Sequence, residues 1–227
     1  MKIKYYVVAA VLIALIPIIM IYKSILATQD SCQLIDALDK SILPPDSSQV
    51  LIIKSLSGLK AQATACQKRS GSWHRVLSSP FPAVVGQQGI ISANQKIEGD
   101  KKTPEGLYPL VAAFGTEPMP LRMDYKFITR EDKFIDDPES PAYNTWVTGA
   151  TKAKSFEIMD IPIYKRGAIV GYNMTPIIPG KGSAIFMHIW KNADTGTYGC
   201  IAFEESQLIA ILHWLDKTQH PYIYITK

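Results

Sequence analysis

The stretch Ala184-Ile185-Phe186-Met187-His188, followed after a short loop by Thr197-Tyr198-Gly199-Cys200-Ile201, decides how the rest of the chain is read. An apolar strand delivers a histidine, and twelve residues later a cysteine follows a glycine. Nucleophilic catalysis by cysteine needs the thiolate, and a free thiol with a pKa near ~8.5 is mostly protonated at neutral pH unless a base or a helix end intervenes. His188 is placed to supply that base. Gly199 lets the backbone turn tightly beside the sulfur, so that main-chain N–H groups around Gly199 and Cys200 face a developing oxyanion. Losing such a donor costs about 3–4 kcal/mol of transition-state stabilisation.

Working outward, Val50-Leu51-Ile52-Ile53, Trp73-His74-Arg75-Val76 and Ala83-Val84-Val85 are short β-type runs separated by Gly, Ser and Pro. Thr103-Pro104-Glu105-Gly106, Asp137-Pro138 and Pro179-Gly180-Lys181-Gly182 punctuate the middle of the chain. This pattern suits a mainly β fold, an irregular β-sandwich, more than a parallel α/β sheet. Two helices are expected in the body. A short amphipathic one runs from Asp30 to Ile42, with Leu34, Ile35, Leu38 and Ile42 on one face and Pro44-Pro45 ending it. The other runs from Glu204 to Lys217, with Leu208, Ile211, Leu212 and Leu215 facing the core, before a final strand from Tyr222 to Ile225.

The N-terminus has a different character. After Met1-Lys2-Ile3-Lys4, the residues from Tyr5 to Tyr22 form an uncharged run of eighteen with one proline, followed by Lys23. At 1.5 Å per residue the run spans about 27 Å, close to the ~30 Å hydrocarbon core and longer than the ~7–15 apolar residues of a cleaved signal peptide. A signal anchor with the body outside is therefore expected, removal near Ala27 being the alternative. The organisation read from this is a membrane segment over 1–27, a membrane-proximal helix and linker over 28–49, and a catalytic domain over 50–227. Cysteine usage fits the same placement. Of Cys32, Cys66 and Cys200, the first two are candidates for a disulfide closing a 34-residue loop, or else are two small buried hydrophobes.

Composition excludes some classes. The 227 residues are 47% hydrophobic and 19% charged, too apolar for a disordered chain. The net charge of +4 comes largely from Lys2, Lys4 and Lys23, which leaves 21 basic residues against 20 acidic ones in the body, no footprint for nucleic acid. His74, His188, His213 and His220 form no metal-ligand spacing with the cysteines.

The string His188, loop, Thr197-Tyr198-Gly199-Cys200-Ile201 resembles the His…[Ser/Thr]-x-Gly-Cys-[Ile/Val] signature of the L,D-transpeptidase (YkuD-like) catalytic domain. The run from Glu98 to Leu110 is similar to that family's Glu-Gly-Asp-x-x-Thr-Pro-x-Gly-x-[Phe/Tyr]-Pro-[Leu] block. Asp136-Asp137-Pro138, Tyr143-Asn144, Gly171-Tyr172-Asn173 and Gly180 to Phe186 also resemble it, in the family's order, over roughly residues 50–227. The resemblance implies a β-sandwich-like domain whose cysteine attacks the peptidoglycan stem between its third residue and D-Ala at position four. Cys200 would be the nucleophile, His188 the general base, and backbone near Gly199 the oxyanion hole, with no cofactor. It implies stem peptides as partners, a role in cell wall biogenesis and cell shape, and, with the anchor, a periplasmic domain on the inner membrane.

Many family members carry His before the Gly-Cys and Arg or Asn after it, where this chain has Tyr198 and Ala202. Such an arginine is suited to holding a carboxylate, so here another base holds it or the substrate differs. Tyr198 reads as a wall against substrate or as filler for the missing histidine; Thr197 is placed with it. Trp190 shares the strand face of His188. Asp100 and Glu98 are candidates for binding a stem-peptide amine, or shape turns. Two other outcomes share the resemblance: hydrolysis by an L,D-carboxypeptidase or endopeptidase at the same site, and a catalytically silent peptidoglycan-binding module.

Overall fold

The computed structural model describes residues 31–38 and 42–227. The apolar run Tyr5–Tyr22 lies outside the described residues, and among the described residues no helix is long and apolar enough to cross a membrane. The elements are a one-turn helix α1 (Gln33–Asp36), then β1 (Gln49–Ser57), β2 (Lys60–Arg69), β3 (Ser72–Val84), β4 (Ile90–Ser92), β5 (Thr103–Gly115), β6 (Tyr125–Phe127), β7 (Asp132–Ile135), β8 (Trp146–Thr148), β9 (Phe156–Ile158), β10 (Arg166–Val170), β11 (Phe186–Ile189) and β12 (Ile201–Phe203). Helix α2 (Glu205–Trp214) and strand β13 (Tyr222–Thr226) complete the chain.

The mainly β class and the C-terminal helix are as expected, and the arrangement of the sheet is not. The pairing order β10-β11-β12-β3-β2-β1-β13-β5 is one continuous sheet, and β5 also pairs with β10, from Arg166↔Gly115 to Val170↔Leu110. The sheet therefore closes on itself instead of forming two stacked layers, which leaves fewer unpaired edges. Closure is possible because β5 is long: Gly106 to Pro109 pair with β13, and Leu110 to Gly115 pair with β10. A separate three-stranded sheet, β8-β7-β9, stands beside the closed one.

Alternation along the strands sorts side chains into three buried clusters. Leu51, Ile53, Ile223 and Ile225 point into the main core with Met187 and Ile201, where Leu208, Ile211, Leu212 and Leu215 of the α2 region pack on them. The helix begins at Glu204, whose carboxylate accepts from the N–H groups of Ser206 and Gln207. Val50, Ile52, Tyr222 and Tyr224 point the other way, onto Cys32, Ile35 and Cys66. Phe114, Phe134, Tyr164 and Phe186 form the third cluster, with Phe186 meeting the other three rings edge to face at 5.0–5.6 Å.

The expected helix from Asp30 to Ile42 is only the single turn of α1 in the described residues. Four residues are too few for helix propensity to hold, and Ile35 is anchored by burial in the second cluster, among β1 side chains and the two cysteines. Cys32 and Cys66 are joined as a disulfide that ties this turn to β2. The bridge closes a 34-residue loop. In the chain-entropy account such a loop is worth roughly 3–4 kcal/mol. Reduction, or Cys32→Ser with Cys66→Ser, is expected to lower the unfolding free energy by that amount in denaturant titrations. An unchanged midpoint would show that the reduced unfolded chain is no freer than the oxidised one.

Candidate active site

Strand β11 carries the base because of its alternation. Met187 faces the main core, while Phe186 and His188 face the third cluster and the cleft above it. His188 is 5% exposed, and its Nδ1 lies 2.8 Å from Ile189 O. A carbonyl only accepts, so Nδ1 carries the hydrogen and Nε2 is left with the lone pair a base needs. Burial lowers the His188 pKa to about 4, with the bond to Ile189 O opposing the shift. The imidazole is neutral at physiological pH.

Cys200 immediately precedes β12, which pairs in parallel with β11 through His188↔Ala202. Its thiol is buried against Phe186 and Tyr164, rests 3.2 Å from Ala184 O as donor, and accepts from Phe186 N–H at 3.4 Å. Burial pushes the thiol pKa well up, with the Glu157 carboxylate adding to it; the Phe186 N–H and the Lys96 ammonium oppose the shift. Among the described residues no hydrogen bond joins Cys200 to His188. The resting pair is neutral on both sides, and the thiol must leave Ala184 O to give its proton to Nε2.

The backbone around the sulfur is pinned by two threonines. Thr103 is fully buried; its hydroxyl donates to Gly199 O at 2.8 Å and accepts from Gly86 N–H at 2.9 Å. Thr197 Oγ1 donates to Cys200 O at 2.6 Å and accepts from Gly199 N–H at 3.1 Å. Of the backbone N–H groups expected around Gly199 and Cys200, that of Gly199 therefore donates to Thr197 in the resting site. Gly199 also serves conformation. At φ +140° a Cβ would also lie 3.1 Å from both Ile185 Cδ1 and Lys102 O.

His188, Thr197 and Cys200 line a cleft of about 780 Å³ together with Trp190, Tyr198, Glu157 and Tyr164. Trp190 does share the cleft with His188. Tyr198 is 71% exposed on the rim, with Lys101 Nζ 5.1 Å from its ring centre. Asp100 is not in the wall. Its carboxylate accepts from Lys96 Nζ at 2.8 Å, Lys102 N–H at 2.9 Å and Ile97 N–H at 3.2 Å, so it shapes the turn and holds the buried lysine. Glu98 does line the cleft, where its carboxylate accepts from Tyr143 and Ser183.

Two contributors, Tyr164 and Glu157, carry no sequence signal of their own. Tyr164 sits in a 3-10 turn before β10, its ring perpendicular to that of His188 at 5.3 Å, and its hydroxyl donates to Glu157. Glu157 lies on β9, and its pKa is raised to about 7, chiefly by burial and then by Asp136 and Glu98, against the Tyr164 hydrogen bond. Buried Asn144 braces the approach to β11 by donating to Tyr172 O and Asn173 O and accepting from Ala184 N–H. Asn173 braces the same approach, its side-chain amide donating to Ile178 O and Gly182 O.

A protein-family model described as the L,D-transpeptidase catalytic domain, YkuD, matches residues 68–223. No curated protein and no solved structure matches the chain at a significant level.

Proposed function

The chain belongs to the family of L,D-transpeptidase catalytic domains, and on that premise we propose that it is a cysteine acyltransferase acting on peptidoglycan stem peptides. The observation that carries the reading is the meeting of Cys200 and His188 in one cleft, on neighbouring parallel strands. In the first step Cys200 Sγ bonds to the carbonyl carbon of the third stem residue while its proton passes to His188 Nε2. The carbonyl oxygen becomes an oxyanion, which we assign to backbone N–H groups of the Gly199-Cys200 turn, that of Gly199 once Thr197 releases it. The C–N bond to D-Ala then breaks, and the departing amine takes the proton from His188. In the second step an acceptor amine gives its proton to His188 as its nitrogen attacks the thioester, and Cys200 recovers the thiol.

Ile189 O fixes the imidazole tautomer throughout, and the two threonines hold the Gly199-Cys200 backbone in register. No arginine follows the nucleophile, and the bases on the cleft rim are Lys101 and Lys191. We assign them the stem-peptide carboxylate, with Tyr198 and Trp190 as walls. We further propose a single-pass inner-membrane protein, residues 1–27 anchoring, 28–49 linking and 50–227 lying in the periplasm. The Cys32–Cys66 bridge supports an oxidising compartment for this domain.

Hydrolysis at the same thioester, by water in place of the amine, is the second reading. The test uses the protein with a defined disaccharide-tetrapeptide and reads product masses. A cross-linked dimer with loss of one D-Ala is the expected result. Tripeptide without dimer would make the protein an L,D-carboxypeptidase. Intact tetrapeptide, with no covalent adduct on the protein, would overturn the acyltransferase and leave a binding module.

A further inference from the structure

Glu157 is placed against the usual rule for a strand. In Phe156-Glu157-Ile158 the two apolar neighbours are exposed, at 36% and 53%, while the acid between them is turned inward to the cleft. A carboxylate in that position needs a partner, and it has one in the hydroxyl of Tyr164. The Tyr164 ring in turn stands perpendicular to the imidazole of His188 at 5.3 Å and packs in the same buried cluster as Cys200. A chain of contacts thus runs from a carboxylate through a phenol to the base, on the wall facing the nucleophile.

We infer that Glu157, acting through Tyr164, is a positioning residue for the Cys200–His188 pair: its carboxylate supports the imidazolium formed at His188 and keeps the resting thiol protonated. This rests on the acyltransferase reading for its consequence in turnover, and on the cleft geometry alone for its effect on the thiol.

The electrostatic surroundings define the sign. Lys96 brings a positive charge to the cleft, already bonded to Asp100 and to Ile97 O. Glu98, bonded to Tyr143 and Ser183, and Asp136, one of whose oxygens is buried without a partner, bring negative charge near Glu157. Glu157 therefore ionises late, around pH 7, in a region that already carries two acids. Once ionised it acts on Cys200 by its charge, and it reaches His188 through Tyr164, whose ring stands on the imidazole. It opposes a thiolate at Cys200 and favours a proton on His188. During acylation the sulfur never carries a lasting charge, because its lone pair goes to the carbonyl carbon as its proton goes to His188. The charges that build up are the oxyanion and the imidazolium. Glu157 stabilises the second of these, so the rate of acyl transfer should rise as it ionises. Tyr164 keeps the carboxylate at the right distance and orients the imidazole with its ring. Glu157 itself transfers no proton in this scheme.

Glu157→Gln keeps the shape and removes the charge, and Tyr164→Phe keeps the ring and removes the bridge. Two rates are read at about pH 6 and about pH 8: alkylation of Cys200 by iodoacetamide, which needs no substrate, and dimer formation from the tetrapeptide. At about pH 8 Glu157→Gln should be alkylated several-fold faster than wild type, yet form dimer about tenfold more slowly. At about pH 6, where wild-type Glu157 is itself protonated, both differences should shrink. Tyr164→Phe should lose part of the same pH dependence.

Opposite signs in the two rates separate a charge effect from damage to the fold, which slows both. Alkylation of Glu157→Gln that is no faster than wild type at about pH 8 overturns the inference, and so does dimer formation at the wild-type rate. Wild type that alkylates as described but forms no product from tetrapeptide counts against the acyltransferase alone, since the alkylation arm still decides the role of Glu157.

Discussion

Cys200→Ala is expected to abolish both the covalent adduct with tetrapeptide and the dimer, a loss of roughly 10⁴-fold or more, because removing a nucleophile leaves only binding and oxyanion stabilisation. The fold should survive. The side chain sits between Ala184, Phe186 and Tyr164, and the alanine methyl group keeps most of that apolar contact. What is lost is the pair of sulfur hydrogen bonds to Ala184 O and from Phe186 N–H, weak contacts at 3.2 and 3.4 Å. Intact-mass measurement of protein incubated with tetrapeptide reads the adduct directly, and a thermal melt reads the fold. A variant that retains turnover would place the chemistry elsewhere in the cleft.

His188 carries the second large effect, and it reaches both activity and stability. His188→Asn should slow acyl transfer by about 10²–10⁴-fold, the usual contribution of a positioned general base. The same residue makes the fold acid-sensitive. Its folded pKa of about 4 lies below the unfolded value of about 6.5, so the unfolded chain binds the proton more readily. Stability is therefore full above about pH 6.5 and is lost as pH falls toward 4, by roughly 3 kcal/mol across that window. Below about pH 4 the folded form is protonated as well, and this contribution to the slope ends. Guanidinium unfolding of wild type and His188→Asn between pH 7 and pH 4 checks the sign. The wild type should lose stability more steeply on acidification. Parallel curves would mean that the imidazole is reached by water in the folded state.

Some of this was legible in the sequence, for reasons that can be located. Strand β11 and helix α2 bury one side chain type per face, so Phe186-Met187-His188 and Leu208, Ile211, Leu212 and Leu215 show their period directly. The Gly-Cys turn, the histidine and the bridging cysteines stand out by residue type. Strand β2 does not, because Lys60-Ala61-Gln62-Ala63-Thr64-Ala65 has little β propensity and is held by register with β1 and β3 on its two sides. Closure of the sheet was illegible too. It depends on β5 changing partners between Pro109 and Leu110, and a strand's partners leave no local mark on its own sequence. The resting engagement of the Gly199 N–H was illegible because Thr197 folds back on it, a side-chain bond that spacing does not reveal. Glu157 was missed because inward-facing acid between outward-facing apolar residues reverses the pattern that periodicity is built to find.

Strand β13 lies in the middle of the closed sheet, parallel to β1 on one side and antiparallel to β5 on the other. The first and last strands of the domain are thus neighbours, and the seam they form is needed before the ring can shut. A growing chain cannot complete this architecture until residues 222–226 have been made, however much of the earlier sequence has already emerged. The helix that fills the core and the strand that seals it follow one another directly, after all the other strands of the sheet. The closed sheet is thus an all-or-none object, whose barrier is set by one late long-range pairing.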